Sequence, residues 1–69
     1  MERFEKIGAE MARRHQWSAY FSLTDDEREF IRRKAREFGF DERCCWRCVE
    51  RGYSDEVESE LIRMEQQKW

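Results

Sequence analysis

Residues 38–56 read FGFDERCCWRCVERGYSDE, and the fold turns on what the chain does at the glycine near the end of that run. Glycine just past an amphipathic stretch is the common left-handed stop of a helix. Serine followed by acids is a common helix start. On that reading Asp41 caps a helix over residues 42–51, Gly52 ends it, and Ser54 opens another over 55–67, with Asp55 and Glu56 in its first turn.

The same punctuation organises the chain upstream. Thr24 opens the run TDDE, in which Thr24 can cap the backbone while Glu27 reaches back: a capping box. The helix it starts runs over residues 25–38 and stops at Gly39, with Phe30, Ile31, Ala35 and Phe38 facing inward. Before it, Phe4, Ile7 and Met11 recur at helical spacing, and His15 and Ala19 continue the stripe, so a helix is expected over residues 2–20. The last segment carries Val57, Leu61 and Met64 as its stripe. No alternating β-branched run competes. The expected fold is all-α, a small four-helix bundle forming a single domain over residues 1–69, with a long N-terminal helix beside a compact three-helix unit.

Sixty-nine residues supply little core, and a chain of this size buries only about 60% of its unfolded surface. Aromatic residues nevertheless make up 14% of it, too many for a disordered segment of 43% charge. No apolar run is long enough for a secretory leader or a membrane span, so no membrane partner is expected. Three cysteines cannot all pair within one chain, which points to free thiols and a reducing, cytoplasmic setting. The net charge of −2 hides a sorting: residues 28–51 hold 8 basic and 5 acidic side chains, residues 52–69 hold 2 and 5.

Cys44, Cys45 and Cys48 share an arc of roughly 100° on their helix, extended by Val49 and Trp46, while Arg43, Arg47, Glu50 and Arg51 fill the other side. Free cysteine is among the most buried residue types, so core packing is the expectation. A metal alternative would use Cys44 and Cys48, one turn apart, with Cys45 and His15. Structural zinc sites usually draw on two paired clusters, and only one is present here. A redox pair Cys45-Trp46-Arg47-Cys48 lies a full turn inside its helix, away from the N-terminal amides that activate such thiols. His15, on an apolar stripe, reads as a packed residue, and no serine or carboxylate stands at a spacing that would make it catalytic. No nucleotide loop or catalytic triad pattern is present. Neither enzymatic activity nor a cofactor is expected.

Across Gly52 the sequence resembles a helix-turn-helix motif over about twenty residues: Cys48 at the small buried position, Gly52 at the turn, Leu61 at a later core site. The resemblance implies a DNA-binding regulator. It departs from the motif where Val57 falls one position early and Glu58 takes its place. The second helix would also present Asp55, Glu56, Glu58 and Glu60 to the phosphates, where lysine and arginine are needed. The basic alternative is the helix before it, with Arg28, Arg32 and Arg36 at i, i+4, i+8 and Arg33 and Lys34 beside them. Protein binding is the leading expectation. Trp17 and Tyr20, close to Arg13, and Ile62 and Trp69 lie off the core stripes, and aromatics with arginine commonly anchor interfaces. These residues suit a small regulator, adaptor or inhibitor, with a homodimer as one arrangement.

Overall fold

The computed structural model describes residues 2–67. They form three helices and no strand: α1 (Glu2–Arg14), α2 (Asp25–Phe38) and α3 (Glu42–Gln66). The all-α expectation holds; the count of four does not. Two segments read as separate, residues 42–51 and 55–67, are one helix of 25 residues, about 37 Å long. Trp69 lies outside the described residues.

The chain runs up, down and up. His15, just past α1, meets Glu27 in the first turn of α2, and Phe4 in the first turn of α1 meets Phe38 at the end of α2. Phe4 also meets Phe40 before α3, while Arg13 reaches Glu56 in its second half. α1 and α3 therefore run the same way, with α2 antiparallel to both. Most of the tertiary contact is α1 on α3.

Gly52 explains the continuity. The α1 backbone passes directly over it: a Cβ there would meet the Glu5 carbonyl oxygen, with the carbonyl carbon at 2.6 Å and Cα at 2.7 Å. Gly8 makes the reciprocal approach, its missing Cβ lying against the Val49 carbonyl and 2.8 Å from the Tyr53 nitrogen. Helices that carry side chains at their contact stay about 8–10 Å apart. Two glycines remove that spacer. A stop at Gly52 would swing Tyr53 and Val57, both buried, out of the core. Burial of each is worth about 1.5–3 kcal/mol, more than the Ser54 cap at about 1 kcal/mol. Gly52 is a contact, and Ser54 is an exposed mid-helix residue.

The other signals act as read. Thr24 and Glu27 form the full capping box, Gly39 adopts φ 71° as the left-handed end of α2, and Asp41 accepts from the Arg43 N–H. α1, however, stops at Arg14 rather than residue 20. Gln16 and Trp17 both take φ 55°, and their N–H groups close onto the Arg13 and Ala12 carbonyls. That is a left-handed stop built without glycine, and each such residue costs roughly 1–2 kcal/mol in backbone strain. Gln16→Gly should therefore raise the unfolding free energy by about 1 kcal/mol, read as a higher urea midpoint at unchanged slope.

The core consists of Phe4, Met11, Ala12, Leu23, Ile31, Ala35, Cys45, Val49, Tyr53 and Val57. Several residues assigned to it from spacing lie outside. Phe30 is exposed on α2; Leu61 and Met64 are exposed because α1 ends level with Glu56, and from Leu61 to the last described residue α3 stands clear of it. Of the three cysteines only Cys45 is buried; Cys48 is half-buried and Cys44 exposed. The buried face of α3 runs from Gly52 and Cys45 through Val49 and Tyr53 to Val57, so it overlaps the span of the three thiols only at Cys45. No described helix is long and apolar enough to cross a membrane.

Candidate functional site

The last two turns of α3 are the most conspicuous surface. From Leu61 to the last described residue every side chain is exposed. Leu61, Ile62 and Met64 keep 56%, 49% and 52% of their surface in water. The helix persists there because it is a continuation of a buried one, and no glycine, proline or cap interrupts residues 53–66. Its neighbours are Glu58, Arg63 and Glu65, with Arg63 held at 2.9 Å to Glu60. An apolar patch rimmed by charge on a protruding helix is suited to insertion into a groove. Of the expected contact residues, Ile62 belongs here.

Trp17, Tyr20 and Arg13 do not share that surface as a set. The Trp17 indole packs half-buried against the core and its Nε1–H donates to Glu56 at 3.4 Å. Arg13 Nε reaches the same carboxylate oxygen at 3.3 Å. Both side chains tie the end of α1 and the following segment to α3. Tyr20 is free, at 78% exposure.

Beside this clamp lies a polar cluster that sequence spacing did not reveal. The His15 Nε2–H donates to Glu27, 2.9 and 3.1 Å from its two oxygens, and the Thr24 N–H donates to the same carboxylate at 2.9 Å. Burial alone would raise the Glu27 carboxyl, but the bonds from Thr24 and His15 and the proximity of the imidazole outweigh it, and the group titrates below the ordinary glutamate value. The Tyr53 hydroxyl donates to the Ser18 carbonyl at 2.8 Å, and its ring packs edge-on against Phe21 and His15. Burial, then the Glu27 charge, pushes that phenol up. These groups satisfy one another and fasten residues 15–24. The Nε2 of His15 and both oxygens of Glu27 are engaged with one another in that fastening.

An open cleft of about 240 Å³ separates α1 from α2, floored by Ile7, Met11 and Phe30 and rimmed by Glu10, Arg14 and Asp26. On α2, Arg28, Arg33 and Arg36 are exposed, while Arg32 lies 3.3 Å from Glu42 and Lys34 3.3 Å from Glu37. The basic row is thus partly neutralised by its own helix and by α3. The helix-turn-helix geometry is not formed, since Gly52 sits inside α3.

The metal set of Cys44, Cys45, Cys48 and His15 is not assembled: among the described residues no group of three or more ligand side chains converges. His15 belongs to Glu27, and Cys45 points into the core, where burial, followed by the neighbouring Cys48 and Cys44, raises its thiol. Cys44 and Cys48 instead open outward into a cleft of about 190 Å³ that they share with Arg47 and Arg51. Comparison with known proteins finds no family model, curated protein or solved structure that matches the chain.

Proposed function

We propose that this chain is a small non-enzymatic protein-binding module, a regulator, adaptor or inhibitor, that presents the end of α3 to a partner protein or to a second copy of itself. The observation that carries the reading is the run of exposed helix over residues 61–67 with Leu61, Ile62 and Met64 on it. Three large apolar side chains on two turns of a helix held rigid from below form a preorganised ligand: little further ordering is required when they dock. Each side chain is about half exposed, so covering the three contributes roughly 2–4 kcal/mol, and the rest of the affinity comes from the surrounding contacts of the partner's groove.

The test uses Leu61→Asp with Met64→Asp. Neither residue touches the core, so helical content and the urea midpoint should stay near those of the parent chain. Self-association in sedimentation equilibrium, or capture of a partner from the native host, should fall at least tenfold. A parent chain that is monomeric at high concentration and captures nothing, or a variant that associates as the parent does, removes the support for this surface.

A further inference from the structure

We propose that Cys44 and Cys48 form half of a zinc site that a second copy of the chain completes. The two thiols stand one turn apart on the outward side of α3, in a cleft lined by Cys44, Arg47, Cys48 and Arg51. Side chains at i and i+4 of a helix have Cβ atoms about 5–6 Å apart. That is too far for a disulfide, which requires about 3.5–4.5 Å. It is a normal separation for two ligands of one zinc ion, as in other helical i, i+4 ligand pairs. Zn–S bonds of about 2.3 Å let the two sulfurs reach a shared tetrahedron by rotation about their own side-chain bonds.

One chain supplies two donors and no third, since no other ligand side chain converges on the pair among the described residues. Structural zinc takes four. A second copy brings two more through the same face, a two-fold arrangement in which each α3 contributes the same pair. Each thiol gives its proton to solvent on binding, four per ion: Zn²⁺ and four thiolates make a centre of net charge −2.

The arginines decide when the copies meet. Arg47 and Arg51 line the cleft, and Arg43 lies one turn before Arg47 on the same helix. Arg51 lies 4.0 Å from Glu5, and Asp41 and Glu42 stand at the start of the helix; with the thiols protonated, Arg43 and Arg47 still set like charges against each other when two such faces meet. With zinc bound, the four arginines of the two clefts surround a doubly negative centre. Association through this face therefore follows metal loading. Because the ligands must lose protons, it weakens as the pH falls. The site is separate from the end of α3 and does not rest on the protein-contact reading.

Cobalt(II) titration of the reduced full chain, followed by competition with zinc, provides the test. The visible bands of a tetrahedral cobalt–thiolate centre should saturate at one ion per two chains, bleach on adding zinc, and accompany a doubling of mass in sedimentation. Cys44→Ser and Cys48→Ser should each abolish the bands and the mass change while helical content is unchanged. The chain carrying Leu61→Asp with Met64→Asp should retain both, which separates this proposal from the preceding one. Thiol alkylation gives a second measurement: zinc should protect Cys44 and Cys48, leaving Cys45 unreactive with or without metal. Saturation at one ion per chain with no change in mass, bands that survive in Cys44→Ser, or the absence of bands would each overturn it.

Discussion

Gly52→Ala should lower the unfolding free energy by about 3 kcal/mol, the upper range for forcing a methyl group into filled space. Helix propensity alone predicts the opposite sign, because alanine is favoured over glycine inside a helix by about 1 kcal/mol. The difference lies in what opposes the new methyl. At Gly52 it is the Glu5 backbone, at 2.6 and 2.7 Å from the Cβ position, and a backbone cannot rotate aside as a side chain can. α1 would have to lift off α3, exposing Phe4, Met11 and Ala12. A chain of this length has roughly 3–10 kcal/mol of stability in all. Gly8→Ala together with Gly52→Ala should therefore leave no cooperative unfolding transition by circular dichroism. A Gly52→Ala chain as stable as the parent would mean that the two helices do not touch there.

Tyr53→Ala should cost about 3–5 kcal/mol, as for other large buried aromatic side chains. Tyr53 is 1% exposed, and it joins three parts of the molecule: α3 itself, Phe21 through ring contact at 5.1 Å, and the Ser18 carbonyl through its hydroxyl. Tyr53→Phe separates the contributions. It keeps the ring and removes one hydrogen bond, so about 1–1.5 kcal/mol is expected. In the alanine variant residues 15–24 lose their anchor, and limited chymotrypsin digestion should cut at Tyr20 or Phe21 before elsewhere. Equal costs for the two variants would assign the stabilisation to the hydroxyl alone.

The features legible in the sequence are those decided within four or five residues. The Thr24–Glu27 box, the Gly39 stop and the Asp41 cap each rest on a side chain meeting its own neighbouring backbone, so the letters suffice. Gly52 is ambiguous as a letter because the same residue permits two things, a left-handed turn and a close approach. The choice between them is made by Glu5, 47 positions away. The end of α1 is hidden for the converse reason: the left-handed stop falls on Gln16 and Trp17, without the residue that normally marks it. Leu61 and Met64 follow the stripe begun by Val57, and periodicity alone cannot tell where the covering helix runs out. Ile62, off that stripe, is legible from spacing alone as a residue outside the core. The outward thiols are not legible in this way, because the spacing that groups Cys44, Cys48 and Cys45 in one arc does not say which edge of that arc the neighbouring helices cover. The contact between His15 and Glu27 depends on the path of residues 15–24, which no spacing rule describes.

A helix without a break at Gly52 is a rod with a bearing. Cys44 and Ile62 are 18 residues apart, which is five whole turns, so they point the same way about 27 Å from one another. Had the chain bent at Gly52, the two would have belonged to separate bodies, each free to take its own heading. On one shaft, turning the cysteine end turns the isoleucine end by the same angle. Any grip on the dithiol face thus aims the far tip, with the crossing of α1 as the bearing block that keeps the shaft straight.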